Sequence, residues 1–160
     1  MTPYRVSAPY DWSSLLGLIR AEFAYMDGVV DPPSSMHRLT EADIAGQAAR
    51  EEVWAIGTPP VACMFLTEKA DWLYLGKLAV AADQRGRGLA RQLVDLAMQR
   101  AHTRGLRGVE LQTRIELTAN HATFAALGFT ETAQSAHPGY NRPTTLTFRR
   151  PMTETGDPNP

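Results

Sequence analysis

Arg85, Gly86, Arg87 and Gly88 follow one another just after an apolar run, residues 72–80, and just before a helical stripe of Leu89, Leu93, Leu96 and Ala97. Those residue types in that place suit one kind of chemistry. A helix leaves its first amides without partners and carries partial positive charge at its N-terminus. Glycines let another molecule come close to the backbone, and arginines reach phosphate oxygens. The knot reads as a cradle for a phosphorylated ligand. The plainer alternative is a solvated glycine turn whose arginines face water.

A dinucleotide site would use Gly-x-Gly-x-x-Gly. Gly86 and Gly88 supply two of the glycines, but Arg91 stands where the third belongs, and residues 81–84 separate the loop from the strand. Glu110 lies near the spacing of a ribose-binding acid, so a dinucleotide-binding domain stays as the lesser alternative. Other chemistries find less support. His37, His102, His121 and His137 are far apart and match no metal-ligand spacing, so no metal is expected. The single cysteine, Cys63, sits in the apolar run VACMFL and reads as a small buried hydrophobe rather than a nucleophile. It permits no internal disulfide and suits a reducing compartment. There is no Gly-x-Ser-x-Gly elbow and no Walker A loop.

The elements that position these residues follow from periodicity. Residues 4–6 make a short strand, and Asp11 is an N-cap for a helix to about Met26, with Trp12, Leu15, Leu16, Ile19 and Phe23 on one stripe. Gly and paired Pro break the chain next. Thr40 and Asp43 form a capping box for a helix to about Glu51. Strands at 53–56, 61–67 and 72–80, joined by short turns, predict an antiparallel meander. A helix over 86–104, stopped by Gly105, then crosses to a strand at 109–113, which predicts a parallel pair. A short helix at 120–127, stopped by Gly128, and a strand at 144–149 complete the pattern. The result is an α/β (α+β) fold with a mixed, mostly antiparallel sheet.

The chain has 160 residues, 44% of them hydrophobic, and a formal charge of −1. That supports one domain over 1–152, with residues 153–160 as a polar, proline-containing disordered tail. No basic or acidic block points to nucleic acid or to a membrane surface. No apolar run nears the roughly 18 residues of a spanning helix, and the N-terminus lacks a signal-peptide layout. A cytoplasmic protein is expected.

With these elements in order, Arg85-Gly86-Arg87-Gly88-Leu89-Ala90 resembles the Arg/Gln-x-x-Gly-x-Gly/Ala signature of the GCN5-related N-acetyltransferases. Leu78-Ala79-Val80 looks like the end of that family's fourth strand, and Asn120, Phe124 and Gly128-Phe129 look like its "N…Y…GF" segment. The resemblance covers most of the chain, from Tyr4 to Arg150. It implies that backbone amides from about Arg85 to Arg91 hold the pyrophosphate of coenzyme A, and that Leu78, Ala79 and Val80 carry its pantetheine arm like an added strand. Splaying of the strands ending at Val80 and starting near Val109 would open the slot, and Asn120 and Phe124 would line the thioester end.

The same resemblance implies direct transfer of an acyl group, usually acetyl, from its CoA ester to an amine. The family commonly protonates the departing thiolate with a tyrosine, where this chain has Phe124. Tyr140 or His137, in the run SAHPGYNRP, or solvent would have to substitute. The family often places a base carboxylate on its fourth strand; WLYLGKL has none, which leaves Glu22 and Glu110 as candidates. In similar folds the loop over 27–37 walls the acceptor site, and its Asp27 and Asp31 would favour a cationic amine. The expected partners are acetyl-CoA as cosubstrate and an amine acceptor, with no nucleic acid or membrane and a homodimer left open. The rival is a non-catalytic acyl-CoA-binding module of the same fold.

Overall fold

The structure, a computed structural model, describes residues 1–153, so the expected tail lies, but for its first residue, outside the described residues. The strands are β1 (Tyr4–Arg5), β2 (Glu52–Ile56), β3 (Ala62–Lys69), β4 (Trp72–Val80), β5 (Gly108–Arg114), β6 (Thr130–Ser135) and β7 (Thr145–Pro151). The helices are α1 (Trp12–Phe23), α2 (Glu41–Arg50), α3 (Leu89–Thr103) and α4 (Thr118–Ala126), with single 3₁₀ turns at Ala24–Met26, Ser35–Arg38 and Ala82–Gln84. Asp11 caps α1 by accepting from the Ser14 amide at 3.1 Å. Thr40 and Asp43 close a reciprocal box on α2, at 3.1 and 2.9 Å. Both caps satisfy amides that a helix start would otherwise leave bare.

One sheet runs β1-β2-β3-β4-β5-β7-β6. Among the described strands, β4 and β5 are the parallel pair and the other neighbours are antiparallel. That topology is not the doubly wound parallel sheet a dinucleotide site requires. On one face α3 buries Leu93, Val94, Ala97 and Met98 against Met64, Leu66, Leu73, Leu111 and Phe148, with Phe124 of α4 packed alongside. On the other, α1 and α2 bury Leu15, Ile19 and Ile44 against Val53, Cys63 and Phe65. Each fully buried leucine or isoleucine contributes about 1.5–3 kcal/mol, so these two layers hold the sheet rigid beneath the site.

A bulge in β4 decides where the site opens. Cys63 pairs with Ala79 but Phe65 with Gly76, so Lys77 and Leu78 together face Met64. Side chains alternate faces along a strand, and one extra residue reverses the parity. Leu73 and Leu75 before the bulge, and Leu78 and Val80 after it, therefore all pack on the α3 side. Lys77 takes the left-handed region, φ 52°, which costs a non-glycine residue about 1–2 kcal/mol. The Cys63 thiol donates to its carbonyl at 3.5 Å. Cys63 is buried, and burial pushes its thiol up to about 12.

The structure moves several expected boundaries. The helix after the Arg-Gly knot begins at Leu89 rather than 86, because Gly86 and Gly88 have φ of 79° and 76°, outside helical space. The strand expected over 61–67 runs Ala62–Lys69, and α4 starts two residues early, at Thr118. The exposed edge strand β6 was not expected at all. Its sequence, TETAQS, has no apolar alternation, and its place comes from pairing with β7, from Thr130 opposite Arg149 to Ser135 opposite Thr145.

Candidate active site, a cleft between splayed strands

β4 and β5 pair at Leu73 with Val109 and at Tyr74 with Glu110, and no further. From Leu75 on, β4 has no ladder partner on its β5 side, while β5 continues alongside β7 to Arg114. The gap is a cleft of about 1010 Å³. Its walls are the C-terminal half of β4, the end of β5, the loop into α3, the inner face of α4 and the end of α1. Every residue expected to bind the cosubstrate lines it except Arg87: Leu78, Ala79, Val80, Arg85, Gly86, Gly88, Leu89, Ala90, Arg91, Asn120 and Phe124.

At one end lies the start of α3. The first helical bond runs from the Gln92 amide to the Gly88 carbonyl at 3.0 Å, so the amides before Gln92 have no partner within the helix. A Cβ built on Gly86 or Gly88 would meet no atom within 4 Å, so the space over this backbone is open. The arginines divide their tasks. Arg85 pairs with Glu22 of α1. Arg91 donates to the Ala126 carbonyl at 3.2 Å and ties α3 to the end of α4. Arg87 is exposed and stands outside the cleft wall.

At the other end Asn120 and Phe124 project from α4. Phe124 packs its ring against Phe129 and Phe148, at centroid distances of 6.3 and 6.1 Å. The Asn120 side-chain amide donates to the Tyr25 hydroxyl at 3.3 Å. Tyr25, 49% exposed, lines the cleft and went unnoticed in the sequence, because it sits in the 3₁₀ turn after α1 with no motif around it. Lys77 also lines the cleft, and desolvation by burial pulls its ammonium below the ordinary lysine range. A lysine interrupting an apolar strand, LYLGKLAV, was the signal that could have marked it.

The proton-transfer candidates separate. Glu22 lines the cleft, but its carboxylate, 11% exposed, holds Arg85. His137 lines the cleft with Nδ1 against the Thr144 hydroxyl. Tyr140 is not in the cleft wall. Its hydroxyl donates to Asp31 at 2.6 Å, and that hydrogen bond raises its pKa, which makes it a poorer acid. Glu110 is also outside the wall and accepts from Arg149 Nε at 2.8 Å. Among the described residues no cluster of His, Cys, Asp and Glu could hold a metal ion.

Residues 13–129 match the model of the acetyltransferase (GNAT) family. No curated protein matches the chain in sequence. Solved structures share its fold at low identity. An acetyltransferase of the GNAT family from Staphylococcus aureus superposes with a TM-score of 0.72 at 13% identity, over 94% of this chain and 98% of that one. A Bacillus subtilis acetyltransferase in complex with CoA gives 0.67 at 14%, over 95% and 99%. The ribosomal-protein-S18-alanine N-acetyltransferase of Escherichia coli gives 0.66 at 19%, over 94% and 92%.

Proposed function

The chain belongs to the GNAT acetyltransferase family, and we propose that it transfers an acetyl group from acetyl-CoA directly to an amine. The observation that carries this reading is the unpaired side of β4 beyond Tyr74, running into a loop of open amides at the start of α3. A cosubstrate with an amide-bearing arm and a pyrophosphate matches both halves. The arm adds as a strand beside Leu78, Ala79 and Val80. The pyrophosphate meets the amides between Arg85 and Arg91, where Gly86 and Gly88 leave the backbone bare. The CoA complex of the Bacillus subtilis structure supports the same ligand.

Acetyl transfer forms an N–C bond, breaks the C–S bond, removes one proton from the amine and returns one to the sulfur. His137 is the group in the wall suited to take the amine proton, with its ring oriented by Thr144. Tyr25 is the hydroxyl suited to serve the sulfur. Asn120 holds it in the wall on the same helix as Phe124, which has no proton to give. Glu22 positions Arg85 instead of acting as base.

The test is release of free CoA from acetyl-CoA in the presence of a panel of amines, with the acetylated product identified by mass spectrometry. Amine-dependent release supports transfer. CoA binding with no release for any amine would establish the rival, a non-catalytic acyl-CoA-binding module.

A further inference from the structure

The cleft has an annex of about 400 Å³, within the size range of small-ligand sites. The two cavities share Ser34, Arg114 and His137 in their walls and so lie side by side. The annex wall also carries His37 and Arg38, and it contains no carboxylate.

The acids of the neighbouring loop are engaged elsewhere. Asp27 pairs with His37 at 2.7 Å. Asp31 takes Arg142 at 3.0 Å and the Tyr140 hydroxyl at 2.6 Å. Glu116, after β5, accepts from the Asp31 amide at 3.2 Å through Oε2, its Oε1 being buried without a hydrogen-bond partner, and it lines neither cavity. Asp27 and Asp31, which were expected to draw a cationic amine, line neither cavity and pair with other side chains.

The arginines are the reverse case. Among the described residues Arg38 has no carboxylate partner. Arg114 donates one terminal nitrogen to the Pro32 carbonyl, while its Nε is buried with no hydrogen-bond partner. A buried donor left unpaired is costly, and a guanidinium fork matches planar or tetrahedral oxyanions. We infer that the acceptor is an amine bearing a carboxylate or a phosphate, and that Arg38 and Arg114 hold this anion in the annex while the amine faces the cleft at His137. The inference rests on the acetyl-transfer reading and narrows it to a substrate class.

The test compares β-alanine, phosphoethanolamine and β-alaninamide as acceptors at saturating acetyl-CoA. An anionic acceptor should exceed the amide in kcat/KM by about tenfold or more, as expected for a charge-assisted hydrogen bond. Whether β-alanine or phosphoethanolamine leads decides between carboxylate and phosphate. Arg38→Glu and Arg114→Met should each collapse that ratio, with melting temperature reporting that the fold survives. Added salt should lower the ratio as well, since Arg38 is exposed. An amide that equals or exceeds both anionic acceptors overturns the inference while leaving acetyl transfer standing.

Should no amine release CoA, the acetyl-transfer reading fails first, and the annex is then judged by titrating N-acetyl-β-alanine into the CoA-loaded protein. Binding lost in Arg38→Glu upholds the anion site. No binding, or binding indifferent to Arg38, overturns it.

Discussion

Tyr25 and Asn120, 95 residues apart in sequence, meet at the cleft with the Asn120 amide nitrogen 3.3 Å from the Tyr25 hydroxyl. A tyrosine of the α1–α2 connection thereby reaches the wall in which α4 presents Phe124. If Tyr25 serves the leaving sulfur, Tyr25→Phe should lower kcat by about tenfold or more, in the range typical of a general acid, with KM for acetyl-CoA little changed. Phe124→Tyr in that background should restore part of the loss, because it adds a hydroxyl to a ring already in the wall. An unchanged kcat in Tyr25→Phe would remove Tyr25 from the mechanism.

Gly88 forms the N-cap of α3 in the left-handed region, with free space around it. Gly88→Glu should weaken CoA binding at least about tenfold, or about 1.4 kcal/mol, by setting a negative charge over the amides. Gly88→Ala isolates the backbone strain, about 1–2 kcal/mol of stability. Titration calorimetry and thermal melts on both variants separate the two effects. Normal CoA affinity in Gly88→Glu would mean that the phosphates bind elsewhere.

Glu52 is fully buried under α3, accepts from Arg100 Nε at 2.9 Å and from the Trp54 indole at 2.8 Å, and forms an ion pair with Arg104 Nε at 3.1 Å. Burial opposes its charge, but the hydrogen bonds from Arg100 and Trp54 and the two guanidinium charges outweigh that and hold its carboxyl below the ordinary 4.5. A carboxyl depressed on folding stabilises the protein above its unfolded pKa, and that contribution is lost as pH falls through the folded value. Glu52→Gln should cost about 3 kcal/mol at neutral pH, chiefly by leaving Arg100 without its charge partner, since Arg104 keeps Glu51 and Glu68. It should also flatten the decline of melting temperature with acid below pH 4.5. A parallel decline in variant and wild type would assign the acid lability to other groups.

Gly108 begins β5 where β4 is still paired. A Cβ there would lie 2.3 Å from the Arg150 carbonyl oxygen and 2.7 Å from the Pro151 Cα, both backbone atoms of β7. Backbone cannot swing aside as a side chain can, so Gly108→Ala should destabilise by about 1–3 kcal/mol, as overpacking does. Chemical denaturation reads this directly, and a neutral result would mean that the β5–β7 edge yields more readily than its pairing implies.

The local elements were legible from residues alone. The capping box at Thr40, the strand from Trp72 to Val80, the stops at Gly105 and Gly128 and the amides of the Arg-Gly knot all follow from side-chain period and backbone preference within a few residues. That is why the parallel crossover and the open amides at the start of α3 could be read from the sequence. Tertiary structure decided what depends on distant segments. β6 exists because β7 pairs with it. Tyr140 and Asp31 pair with each other outside the cleft wall. Tyr25, Arg38 and Arg114 reach the cleft and its annex from separate elements, brought there by the bulge at Lys77, the splay of β5 and the path of the α1–α2 connection. Periodicity reports only which face a side chain takes. Which side chains meet across a cleft is set by how the packed layers close, and no local pattern encodes that.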